Sequence, residues 1–487
     1  MNKEMERHGT DMDIRLKLGN NFETVSIQRV ELCTKVNNHS KCDVEFIFND
    51  ILRLDDIERT LESYRIGIYC KNNSGNWEIV FCGYFESYSL QVKNNLYVVK
   101  IQAFSYSTKL DDEGKNKSYQ NIQDTYYSVM MKALVDFPET VLVYNSEKHS
   151  TGKPLVQYQE TPWEFIVRVA SECGKGVYDI AEYEFPYLMV GASPSLSNIN
   201  LDIVERKSGI AEKYFQLGGP FSEYSRAAFQ YYDIISTTNI SIGKRIIYQN
   251  SEMIISSKRA WFEAESWRFE YQLVFPIAEV EPLRRNEKLS GVALVGEVID
   301  TKNETIKVWL SIDEEQDKET AYEYEWTPIN GDLMYCPPKV GTQVSVYFAS
   351  SDESSAKAIN CVRTNGKSFG AMQKYSNRGL ATEHDKMLAL TEQKLSFESK
   401  TSGQAIHLSD DLFDMVSNKN IVIFAQEDIK IKTNQYAAEC VEELNLVQTG
   451  TEVCDEAICN PKATINVSVD TECFASTDII QGNGKRQ

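Results

Sequence analysis

The side chains able to do chemistry are sparse and scattered. Five histidines stand far apart, at His8, His39, His149, His384 and His407. No His-Glu-x-x-His pair brings two of them onto one helix face, so a histidine metal cage within one chain is not expected. Gly366-Lys367-Ser368 has the end of a phosphate-binding loop, yet Cys361 stands where the first glycine of that pattern belongs, and the segment reads as a linker. With 71 Asp and Glu residues to choose from, the neighbours Asp410 and Asp411 say nothing about glycosidase geometry and read as a turn between short strands. Most of the 11 cysteines lie in apolar strand-like text such as Ile68-Tyr69-Cys70 and Val80-Phe81-Cys82, where the thiol behaves as a small hydrophobe and stays reduced. Cys440, Cys454, Cys459 and Cys473 crowd the C-terminal tail with no Cys-x-x-Cys pair and no nearby His, which is not the spacing of a zinc site. The sequence therefore predicts no catalytic residue, no cofactor site and no metal site.

Composition narrows the classes further. The 487 residues suit roughly three domains with an ample core. The 71 acidic against 51 basic residues give a formal charge of −20, which opposes the phosphate-tracking surface of a nucleic-acid binder or the attraction of an anionic membrane. Apolar residues make up 42% and charged ones 25%, ordinary for a globular chain, and 26 Tyr with 21 Phe favour strands over disorder. No stretch is long and apolar enough for a membrane helix, and the N-terminal text MNKEMERHGTDMDIRLKLG has no apolar core for a signal peptide, so assembly in the cytoplasm is expected.

The elements follow from periodicity. From about residue 12 to 110, VSIQRVEL, CDVEFIF, YRIGIYC, WEIVFCGYF and LYVVKIQAF alternate apolar and polar residues and predict five or more antiparallel strands in a small barrel or sandwich. A helix is expected over Asn121 to Phe137, ended by Pro138. In QYQETPWEFIVRVASECG, Thr161 is placed as N-cap, Pro162 as first helical residue, Phe165, Ile166 and Val169 as the apolar stripe, and Gly174 as the stop. RIIYQN, EMIIS and FEYQLVF resume strand text to about Pro282. Five short strands between Gly291 and Val362 have the size of an OB-like barrel. Its balance of 13 Asp or Glu against 6 Lys or Arg between residues 289 and 363 speaks against single-strand nucleic acid; Trp309, Trp326 and Tyr347 read as core or inter-chain packing. From 384 to 433 short apolar runs recur every eight to ten residues: KMLAL, KLSFES, QAIHLS, LFDMVS, NIVIFA and DIKIKT. Such a ribbon buries too little to stand alone and is expected to need partner chains.

The order of these parts, the string QYQETPWEFIVRVASECG, and above all PPKVGTQVSVYFASSD resemble the VgrG-type spike of contractile injection systems, over about residues 12 to 433. The resemblance implies a mainly β fold with a few helices: a first hub β-barrel over 1–120, a helix-containing segment and second hub β-barrel over 121–285, an OB-fold over 286–365, a linker over 366–383, and a β-helix needle over 384–433 wound from three chains. The tail 434–487 has no counterpart. It further implies a homotrimer in which two barrels per chain present six lobes to a hexameric tube, while a stiff needle pierces the target membrane mechanically. The partners implied are an Hcp-like inner tube protein, baseplate proteins and a PAAR-like tip protein or effector, with export as part of the injection particle.

Alternation within the needle nominates Ile406, Leu408, Ile421, Ile423, Ile429 and Ile431 as the trimer core. It turns His407 away from the axis, so an axial metal is not expected there. A 20-residue linker leaves no room for an inserted enzyme, and the function expected is non-enzymatic. The alternative from another class is a cell-wall-active tail enzyme or an adhesin built on β-barrels.

Overall fold

The computed structural model describes residues 14–422 apart from positions 20, 24, 49–53, 73, 95, 198, 200, 264–265, 329–335, 363–373 and 383, together with 431–432 and 467–468. The chain forms two compact units, 1–364 and 365–487.

The first unit is built on a 13-stranded sheet. Every run expected in the N-terminal region is a strand: Val25–Lys35, Lys41–Phe48, Arg65–Lys71, Trp77–Lys93 and Leu96–Ser105. Lys41–Phe48 shows the period-2 pattern, with Cys42, Val44, Phe46 and Phe48 buried and the residues between them half-exposed. These strands do not close on themselves. Val25–Lys35 pairs antiparallel with Ser251–Glu263, Cys33 opposite Arg259, and the sheet runs on through Ser266–Val274, Gln230–Ser236 and Ile203–Ile210. Among the described residues the two hub barrels expected from the sequence are joined as two halves of one sheet, because pairing satisfies the backbone N–H and C=O groups that an edge strand would leave open. Their side chains share one core, from Leu16 and Phe46 in the first half to Phe269 and Tyr271 in the second.

Helices α1 (Leu54–Leu61), α2 (Tyr126–Ala133), α3 (Pro162–Glu172) and α4 (Lys213–Gln216) punctuate the sheet. Helix α2 is shorter than the predicted 121–137: Asn121 to Asp124 form a turn in which the Asn121 side chain accepts from the Gln123 amide, and Thr125 caps the helix by accepting from the Ser128 amide. Helices α2 and α3 bury Val129, Met130, Phe165 and Ile166 in a second core. Gly174, at φ +63°, follows α3 in the left-handed conformation that stops a helix.

A closed five-stranded barrel completes the unit, in the order Ala293–Lys302, Thr305–Leu310, Glu323–Trp326, Lys357–Val362, Gln343–Tyr347. Gly296 is required there, since a Cβ would stand 2.5 Å from Val308 Cγ1 and 2.6 Å from the Trp309 carbonyl oxygen. Val156, from outside the barrel, sits in its core with Val298, Val308 and Phe348.

The second unit is a five-stranded antiparallel meander, Arg378–Ala381, Lys386–Leu390, Lys394–Ser399, Gln404–Ser409 and Phe413–Val416. The runs expected in the needle pair as hairpins within one chain, because the intervals 382–385, 391–393, 400–403 and 410–412 are short enough to return each strand beside its predecessor. Asp410 and Asp411 lie in the last of these turns, closed by Ser409, whose amide donates to the Leu412 carbonyl. In NIVIFA, Ile421 and Val422 carry no strand; in DIKIKT, only Ile431–Lys432 is described, parallel to Val467–Ser468.

Candidate functional site

Two features could serve assembly: a buried joint in the first unit and an uncovered face in the second. The joint grows from QYQETPWEFIVRVASECG. Its strand Leu155–Glu160 leads into α3 through a capping box, in which Thr161 Oγ1 accepts from the Glu164 amide and the Glu164 carboxylate accepts from the Thr161 amide, both at 3.1 Å. The cap fixes where α3 begins and so where Arg168 lands. Arg168 is 3% exposed. Its Nε and Nη2 donate to the two Glu160 carboxylate oxygens at 2.7 and 2.9 Å, Nη2 also donates to the Val156 carbonyl at 2.9 Å, and Nη1 donates to Glu353 at 2.7 Å. Glu353 opens the 3-10 turn Glu353–Ser355, which directly follows the string PPKVGTQVSVYFASSD, so this contact ties one family-like string to the residue just after the other. Around it, Glu172 takes Lys153 at 2.8 Å and Arg285 at 3.4 Å, and Arg285 also reaches Asp352 at 3.3 Å.

Burial opposes charge on Arg168, but the bonds to Glu160 and the charge of Glu353 outweigh it and hold the guanidinium proton above its ordinary value. For Glu160 burial wins and its carboxyl titrates above the usual carboxylate range despite Arg168. A second seam lies nearby: Asp313 of the barrel accepts from the Ser118 amide at 2.7 Å and from its hydroxyl at 2.5 Å, and Gln120 donates to the Val308 carbonyl at 3.1 Å. In the Arg168 cluster the carboxylates Glu160, Glu172 and Glu353 are set against Arg168, Lys153 and Arg285. The arrangement fastens the barrel to strand and helix.

The second unit is amphipathic in the opposite sense. Cross-strand partners share a face, and the register aligns Leu380, Leu388, Phe397, Ile406 and Met415 in one row and Leu390, Leu395, Leu408 and Phe413 in the next. Phe397 is 53% exposed, Leu408 51% and Ile406 41%. Nine apolar side chains on one sheet face, most of them open to solvent, are far from the scattered single hydrophobics of an ordinary surface. The other face carries Ala389, Ser396, Glu398, His407 and Asp414, with His407 bonded to Asp414 at 3.0 Å and 3.5 Å from Glu398.

No protein-family model matches the sequence, and no curated protein matches it. Solved structures do. An E. coli protein, c3393, described as a component of the type VI secretion system with structural similarity to the T4 bacteriophage tail proteins gp27 and gp5, matches with a TM-score of 0.50 at 13% identity, over 72% of this chain and 99% of that one. A chain of the lidded Francisella PdpA-VgrG complex matches with a TM-score of 0.50 at 8% identity, over 83% of this chain and 80% of that one. Its half-lidded form gives the same TM-score over 84% and 88%. The fold is that of the VgrG-like spikes. At such low identity the likeness concerns fold alone, and the sites rest on this chain's own residues.

Within this VgrG-like fold, Ile406 and Leu408 lie together on the uncovered face, and His407 turns to the other side. Ile421 is 52% exposed and outside any strand. Ile431 lies in a two-residue strand, and Ile423 and Ile429 fall outside the described residues, as do the four tail cysteines. Cys42, Cys70 and Cys82 are buried as expected, and burial pushes the Cys82 thiol up to about 12; Cys336 and Cys361 are exposed instead. Trp326 is buried in the barrel, whereas Trp309 and Tyr347 are partly exposed. Among the described residues, no group of three or more His, Cys, Asp and Glu side chains is placed to hold a metal ion, and no helix is long and apolar enough to cross a membrane. Sequence reading missed Arg168 and Glu353. The only signal was a lone arginine inside an apolar helical stripe.

Proposed function

We propose that this chain is the homotrimeric hub and spike of a contractile injection machine, a structural protein rather than an enzyme. The observation that carries this reading is the apolar face of the second unit. A sheet that displays Phe397, Ile406, Leu408, Phe413 and Met415 to water, while burying mostly small and polar side chains behind it, is completed by other copies of itself. In the trimer these rows face one another, and Ile421, Ile423, Ile429 and Ile431 extend the same core; the three copies wind into the β-helix needle. In the first unit the two halves of the 13-stranded sheet act as the two hub lobes, so that three chains offer six to a hexameric, Hcp-like tube. The five-stranded barrel is the OB-fold between hub and needle, and the joint at Arg168 carries thrust across it. Baseplate proteins bind the hub, and a PAAR-like tip protein or effector caps the needle.

Light scattering on the full chain tests the core of this reading. The expected mass is about three times the 55.6 kDa protomer, falling to the protomer when Ile406→Asp and Leu408→Asp are combined. Both side chains are already exposed in one chain, so the fold of the protomer itself should change by no more than about 0.5 kcal/mol. A trimer that survives the double substitution would overturn the assignment of this face.

A further inference from the structure

A chain of short polar contacts lies apart from the joint and from the apolar face. It runs from Asp111 Oδ2 to His39 Nε2 (2.7 Å), from His39 Nδ1 to Ser107 Oγ (2.6 Å), from Ser107 Oγ to Ser105 Oγ (2.9 Å), and from Ser105 Oγ to Asp179 Oδ2 (2.5 Å). The members come from the turn between strands Val25–Lys35 and Lys41–Phe48, from the 3-10 turn Tyr106–Asp111 with Ser105 before it, and from strand Val177–Asp179. Thr161, the cap of α3, donates to Asp111, and the Trp163 ring of α3 lies against the His39 ring, tilted by 33° with centroids 4.1 Å apart. Ser107, His39 and Asp111 stand in the order of nucleophile, base and orienting acid, but Ser107 has no exposed surface and no substrate reaches it.

Counting hydrogens gives the chain a different role. Four contacts need four hydrogens. With both carboxylates charged and the imidazole neutral, the chain owns three: one on the ring and one on each hydroxyl. One contact would then set lone pair against lone pair at 2.5 to 2.9 Å. We propose that the chain from Asp111 to Asp179 is a proton-binding site that takes one proton from solution and, holding it, locks the sheet to the α3 segment.

The balance closes in two ways. In one, an imidazolium donates to Asp111 and Ser107, Ser107 donates to Ser105, and Ser105 to Asp179. In the other, the Asp179 carboxyl donates to Ser105, Ser105 to Ser107, Ser107 to His39 Nδ1, and His39 Nε2–H to Asp111. The two forms differ only by a shift of hydrogen within the three inner links. Burial raises the Asp179 carboxyl from its ordinary value despite the bonds from Ser105 and from Ser40, whose amide donates to Oδ2 at 2.7 Å, and this direction favours the second form. Burial also disfavours charge on Asp111, but the bonds from His39 and Thr161 prevail and keep it low, so the outer end stays anionic. That end is the entry, with the Asp111 side chain 36% exposed. The titratable and charged groups facing the chain are Asp111 and Asp179 themselves and Glu164 at the start of α3; Lys41 is engaged by Asp43 at 3.3 Å and Lys109 by Glu139 at 3.6 Å.

The sign follows from linkage. Above about pH 6.5 a free imidazole has released its proton, while the folded chain keeps one. The folded state then binds more protons than the unfolded, and stability falls as pH rises until the folded site lets go. Thermal unfolding of the full chain from pH 6 to 9 tests this. The wild type is expected to lose several degrees across that range. Ser107→Ala, which leaves two contacts served by two hydrogens, is expected to start lower and to show no such loss, so the two curves converge at high pH. Should that variant fail to fold, Ser105→Ala has the same hydrogen balance and the same expectation. A wild type whose stability holds steady from pH 6 to 9, or a variant that follows its slope, overturns the proposal.

Discussion

Arg168 shows how much one side chain can hold. Its two carboxylate partners are buried with it, so removing the cation leaves charges that water cannot reach. Arg168→Met, which keeps much of the volume, is expected to cost about 3–5 kcal/mol at pH 7, measured by denaturant unfolding. The penalty should shrink towards pH 5. In the variant, Glu160, whose carboxyl burial already raises, escapes an unpaired buried charge by taking up a proton; the folded state then binds more protons than the unfolded, and lowering the pH stabilises it. A penalty unchanged between pH 7 and pH 5 would mean that the two carboxylates are hydrated in the variant. None of this was legible locally. WEFIVRVASE reads correctly as an apolar helical stripe, but Glu353 is 185 residues away along the chain, and only the closed barrel brings it to α3. Contrast His407, whose orientation follows from its two neighbours alone.

At the scale of elements, text that carries its own punctuation was the most legible. Thr161, Pro162 and Gly174 mark both ends of α3, and the structure places the cap, the first turn and the stop at those residues. Thr161→Ala is expected to cost roughly 1–2 kcal/mol, the upper part of the range for an N-cap, since the hydroxyl both accepts from the Glu164 amide and donates to Asp111; Thr161→Ser should recover most of it in the same unfolding assay. If Ala and Ser behave alike, the hydroxyl does not set the start of the helix. Strands were legible through alternation, in the sheet and in the meander alike. Closure was not, because period 2 fixes which residues share a face and leaves open which strand lies beside which. That is why Val25–Lys35 reads as part of a separate barrel although one of its edges pairs with Ser251–Glu263, and why the recurring runs from 384 onward do not by themselves say that each strand returns beside its predecessor.

For the whole molecule, the question is which unit brings copies together. Among its described residues the first unit has three buried cores of its own, of 44, 17 and 14 residues, and its barrel is fastened to α3 and the strand before it through the joint at Arg168. It has what a fold needs to stand without the rest of the chain. Among the described residues the second unit buries few large side chains and exposes a continuous apolar face, so the stability of this meander is borrowed from whatever covers that face. A chain ending at Thr364 is therefore expected to unfold cooperatively at a temperature close to that of the first unit in the full protein, yet to scatter light as a single protomer, while the full chain scatters as three. The same comparison separates two sources of trimerisation. If the chain ending at Thr364 remains trimeric, assembly is driven by the hub, and the apolar face follows as a surface aligned by contacts made elsewhere; the Ile406→Asp, Leu408→Asp protein would then also stay trimeric. If only the full chain is trimeric, the needle is the organiser and the hub lobes are held in a ring because the needle holds them.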